Sequence, residues 1–244
     1  MWRELRRLLT HESLIYLSDG KNCPYGGRSR AEIEGFAIEA VERLVEEGAK
    51  MVVVGCNTAT TAAVETLRRR WPNMPIVGLE PAVKPACLTS QRRKIAVLAT
   101  AHSLSSDMFL TTAARWASDV EVVKVVGEGF VELVERDMEH TSEAEHLVRK
   151  AVEPLLGMGV DKLVLGCTHY PFLRPIIERI VDGAGIEVID SGVAVARRVE
   201  WLLDRYDIAA SEDNEPVMRY LTFADEEYRK RLENKAQAII NMDK

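Results

Sequence analysis

"MVVVGCNTAT" (51–60) and "KLVLGCTHYP" (162–171) share one plan: an apolar run that ends in Gly-Cys, followed by small polar residues. They align with Cys56 on Cys167, and the same offset of 111 residues brings "MPIVGLEPAV" (74–83) onto "GIEVIDSGVA" (185–194). Two separate motifs at one constant offset mark an internal duplication, so the chain reads as two similar halves.

Around these stretches lie further short apolar, β-branched runs: "LIYL" (14–17), "KIAVLA" (94–99) and "VEVVKVV" (120–126). Runs of this kind suit strands buried on both faces of a parallel sheet. Helical patterns separate them. In "AEIEGFAIEAVERLVEEG" (31–48), Ile33, Phe36, Ala40, Val41, Leu44 and Val45 are expected on one face. Ser29 and Glu32 have the spacing of a capping box, and Gly48 supplies a stop. Strand–helix alternation predicts right-handed βαβ units and an α/β protein. The expected architecture is two pseudo-symmetric domains, each a mostly parallel sheet flanked by helices, with the active site at the domain interface. The boundaries read from the repeat are 1–92 plus 209–244 for the first domain and 93–208 for the second.

The repeat makes a further prediction. The second half carries a strand and turn, "KIAVLATAHSLSS" (94–106), whose counterpart 111 residues earlier would fall before Met1. The first half is therefore expected to lack its opening strand.

Composition narrows the class. With 244 residues, 47% hydrophobic and 29% charged, the chain has the make-up of a packed globular protein. A net charge of −6 gives no basic face for nucleic acid, and no apolar run reaches the roughly 18 residues that span a membrane. The "RRR" at 68–70 closes a helical pattern, where cations complement the helix dipole. "MWRELRRLL" (1–9) reads as an amphipathic helix and not a signal peptide. Four cysteines without a CxxC pair argue for free thiols in a reducing, cytoplasmic setting.

Cys56 and Cys167 both follow a strand and precede a helix. That is where ligands collect in parallel sheets and where backbone amides and the helix dipole favour a thiolate, lowering its pKa. Acyl transfer needs one nucleophilic thiol, not a mirror-image pair, and a structural metal wants three or four ligands. A redox pair would sit closer in sequence. Two equivalent thiols suit proton transfer on opposite faces of one carbon, one acting as base and the other as acid.

"GCNTAT", "LVLGCTHYPFL", "NCPYGGRS" and "VGLEPAVKPA" together closely resemble the glutamate racemases, cofactor-independent members of the aspartate/glutamate racemase superfamily. The resemblance runs through nearly the whole chain. It implies interconversion of L- and D-glutamate with no pyridoxal phosphate and no metal, with D-glutamate feeding peptidoglycan precursors, in a homodimer. It makes Cys56 and Cys167 the two acid/base groups. His169 becomes the helper of Cys167, and Glu135 an acidic residue near the reaction. Tyr25, Gly26, Asn57, Thr58, Thr168, His169 and Ser103 fall at substrate-binding positions. Cys23 is read as incidental, Cys87 as a small buried residue, and Glu80 as a charge capping a helix start. The family opens with a strand ending in Asp-Ser-Gly-x-Gly-Gly, whereas this sequence begins at the helix that would follow it. An internal Met taken as the start and a true truncation both give that pattern. The competing functional readings are a catalytically weak or silent amino-acid-binding or regulatory relative, and a racemase acting on aspartate or another amino acid.

Overall fold

The computed structural model describes residues 1–241. In chain order the elements are α1 (Trp2–Leu8), β1 (Leu14–Ser18), α2 (Arg30–Glu46), β2 (Val52–Val54), α3 (Asn57–Arg70), β3 (Ile76–Gly78) and α4 (Val83–Thr89). There follow β4 (Lys94–Ala99), α5 (Ala101–Ser105), α6 (Asp107–Trp116), β5 (Glu121–Val126), α7 (Phe130–Glu135), α8 (Ser142–Val152) and β6 (Lys162–Leu165). The chain continues through α9 (Arg174–Val181), β7 (Glu187–Asp190), α10 (Gly192–Arg205), β8 (Met218–Thr222) and α11 (Glu226–Asn241). Every strand pairing among the described residues is parallel, in keeping with the buried apolar runs.

Two compact units divide the chain: residues 1–54, 62–78 and 192–244 in one, and 55–61 and 79–191 in the other. These bounds differ from those read off the repeat. Helix α4 packs on β4, β6 and α6, which brings 79–92 into the second unit. Helix α10 packs on α1 and β3, which brings 192–208 into the first.

The second unit holds one sheet in the order β5-β4-β6-β7. Its centre is dry: Ile95, Ala96, Val97, Leu98 and Ala99 of β4 are each 0% exposed. One apolar layer sets Leu98, Leu163 and Leu165 against Phe130, Val148, Tyr170 and Ile177; the other sets Ile95, Val97 and Val164 against Val83, Ala86 and Phe109. A fully buried side chain of this size contributes about 1.5–3 kcal/mol, so the sheet's centre anchors whatever is carried on its strand ends.

The first unit contains two separate two-stranded sheets, β1-β8 and β2-β3. Strands β2 and β3 are the repeat counterparts of β6 and β7, but among the described residues no counterpart of β4 joins β2 to β1. All five residues of β1 remain half-buried. Helix α2 has the expected capping box, with Ser29 accepting from the Glu32 amide and Glu32 accepting from that of Ser29. Its buried stripe is Ile33, Ala37 and Val41, while Val45, expected inside, is exposed.

Candidate active site

The second unit brings most of the sequence-predicted residues together at the carboxyl ends of strands. Gly166 follows β6 directly, and its bare backbone is required: a Cβ there would lie 2.8 Å from the Ala99 Cβ and 3.3 Å from the Leu98 carbonyl of β4. Cys167 follows, half-buried at the rim of the larger core. Its Sγ lies 3.8 Å from His169 Nδ1, and His169 Nε2 lies 2.6 Å from Glu135 Oε1 on the last residue of α7. With the Nε2 proton directed at the carboxylate, Nδ1 presents its lone pair to the thiol. The result is a chain of groups that can take a proton from Cys167 and hold the resulting positive charge.

Cys56 stands immediately before α3. Its carbonyl accepts from Thr60 N–H at 2.9 Å and its sulfur from Ala59 N–H at 3.5 Å. The expected depression of its pKa does not appear. Burial pushes the Cys56 thiol up, and the Ala59 and Thr58 amides offset this only in part. Cys167 pushes it further up and His169 pulls it down, so the two sulfurs and the imidazole share one electrostatic environment. At neutral pH Cys56 is therefore a thiol, because desolvation outweighs the helix terminus.

Asn57 links the two repeats. It is 6% exposed, and its Nδ2 donates to Gly166 O at 2.8 Å, tying the residue after one cysteine to the residue before the other. Its Oδ1 is buried with no hydrogen-bond partner among the described residues, which leaves an acceptor for a bound donor. Thr58 is likewise buried, and Thr168 is half-buried beside Cys167.

Ser103 sits differently from expectation. It is 3% exposed, and its hydroxyl accepts from Thr100 Oγ1 at 2.9 Å within the cap of α5. Thr100, directly after β4, is the more accessible hydroxyl; its place at a strand's carboxyl end was the signal that could have found it. Glu80 is no helix cap, since α4 begins three residues later without a side-chain cap; its carboxylate accepts from Thr112 Oγ1 at 3.2 Å. Cys87 is buried as expected, at 1% exposure.

Tyr25 and Gly26 lie in the first unit, in a short 3-10 turn. Tyr25 donates its hydroxyl to Asp19 Oδ2 at 2.6 Å, and Asn22 donates to both oxygens of the same carboxylate. Asp19 escaped the sequence reading, although a carboxylate one residue past the end of β1 occupies the same kind of position as the cysteines.

Residues 1–199 match the family described as Asp/Glu/Hydantoin racemase. The glutamate racemase of Ectopseudomonas mendocina (strain ymp) is 43% identical over 210 residues, covering 86% of this chain and 80% of that protein. That of Herpetosiphon aurantiacus is 40% identical over 223 residues, covering 91% and 87%. Among solved structures, a glutamate racemase isoform from Bacillus anthracis superposes with a TM-score of 0.85 at 29% identity, over 96% of this chain and 88% of that one. The Escherichia coli glutamate racemase, solved with L-glutamate and the activator UDP-MurNAc-ala, gives 0.85 at 28% identity, over 98% and 89%. Sequence and fold agree, and the chain belongs to the Asp/Glu/Hydantoin racemase family.

Proposed function

We propose that the protein interconverts L- and D-glutamate without a cofactor, using Cys56 and Cys167 as a two-thiol acid/base pair. The observation that carries this reading is the pair of strand-end thiols, with Cys167 backed by His169 and Glu135 and the residue after Cys56 hydrogen-bonded to the residue before Cys167. In one direction Cys167 gives its proton to His169 and, as thiolate, removes the Cα proton. The electron pair of the broken C–H bond stays on Cα, and the Cys56 thiol delivers a proton from the opposite face. In the reverse direction the roles exchange, so the net reaction inverts the carbon and consumes nothing. Asn57 Oδ1 accepts from the substrate's ammonium, and the threonine hydroxyls and first-turn amides of α3 hold carboxylate oxygens. The high identity to relatives named glutamate racemase supports glutamate over aspartate. The product D-glutamate serves peptidoglycan synthesis.

The test is solvent deuterium incorporation at Cα, measured on both glutamate and aspartate with the full chain. Exchange on glutamate, abolished in Cys56→Ala and in Cys167→Ala, is expected. Absence of exchange, or its survival in both variants, overturns the reading; exchange on aspartate alone reassigns the substrate.

A further inference from the structure

We propose that Tyr170 is a positioning residue that sets the reach of Glu135 to His169, and through it the placement of the imidazole beside Cys167. This rests on the role of Cys167 given above. Tyr170 is wholly buried and makes one contact within the thiol turn and two with the approach to α7. Its amide donates to Cys167 O at 3.1 Å. Its hydroxyl donates to Gly127 O at 3.2 Å, the same carbonyl that accepts the Phe130 amide at the entrance to α7. Its ring meets the Phe130 ring edge-on, with centroids 5.2 Å apart. Phe130 opens α7 and Glu135 closes it, so the helix that carries the carboxylate is clamped at one end by Tyr170 and bonded at the other to His169.

The fit leaves no slack. A Cβ on Gly127 would lie 2.5 Å from the Tyr170 hydroxyl, so the turn before α7 and the tyrosine are mutually shaped. With only six residues, α7 has little stiffness of its own, and its orientation is set by what it packs against. Tyr170 touches both the thiol turn and the start of that helix.

Tyr170→Phe removes the hydroxyl and leaves the ring. Expected are a cooperative unfolding transition, a fall in kcat of about tenfold with KM little changed, and no further loss when Glu135→Gln is added. Additive losses in the double variant would mean that Tyr170 acts only through stability, and would overturn the proposal. A second readout does not depend on racemisation: the pH dependence of Cys167 alkylation by iodoacetamide, followed by mass spectrometry in a Cys56→Ser background. Without the Glu135 charge the imidazolium is less favourable, so the alkylation midpoint rises in Glu135→Gln. The same rise in Tyr170→Phe supports the proposal, and an unmoved midpoint sinks it, even in a protein that proves inactive on glutamate. Should Tyr170→Phe not fold, Phe130→Leu breaks the ring contact of the same linkage and is read the same way.

Discussion

A Cβ on Gly166 would press within 2.8 Å of the Ala99 Cβ, whereas one on Gly55 meets nothing within 4 Å, although both glycines precede a cysteine at equivalent repeat positions. Gly166→Ala is therefore expected to cost about 1–3 kcal/mol through forced displacement of β4 or the thiol turn. Gly55→Ala should stay within about 0.5 kcal/mol. Urea unfolding of the two variants measures the contrast. At Cys56 the raised pKa predicts that alkylation reaches half its maximal rate above the pH expected for an ordinary cysteine. A midpoint below that of free cysteine would contradict it. Which residues to propose for the chemistry was readable from the duplicated Gly-Cys. The sign of the Cys56 shift was not, because it is decided by desolvation, which depends on residues distant in sequence. Asp19 and Thr100 were missed for a related reason: single polar residues after a strand acquire meaning only once the strand's direction is known.

At the scale of elements, the join between α4 and β4 depends on one carboxylate. Asp161, just before β6, accepts from Ser90 Oγ at 2.6 Å and from the Gln91 and Arg92 amides at 2.6 and 2.8 Å. Burial alone would raise its pKa, but these three donors together hold it below the ordinary carboxylate value. A lowered folded-state pKa contributes stability that is present above the unfolded value of about 4 and is lost as pH falls through the folded one. Asp161→Asn sets an amide against two backbone donors and should cost about 1–3 kcal/mol at neutral pH. It should also flatten the loss of stability below pH 4, as read by denaturation at several pH values. Elements with strong local chemistry, such as the capping box of α2 and the apolar run of β4, were legible in advance. Strand β8, "MRYLT", was not: its pattern is mixed, and it forms because β1 offers it a parallel partner far away in sequence.

For the whole molecule, the duplication predicts equivalence that the two units do not reach. In the second, β4 is hydrogen-bonded on both sides and its inner residues are dry. In the first, β1 and β2 each have one partner strand among the described residues. Backbone groups that lack a ladder on one side open to solvent at lower free energy than those locked in a sheet interior. Amide exchange followed by mass spectrometry should therefore label 14–18 and 52–54 well before 94–99 and 162–165; equal protection would refute this. Warming then acts unevenly. The half that holds Tyr25 against Asp19 loosens first, at temperatures where the Cys167–His169–Glu135 arrangement still stands.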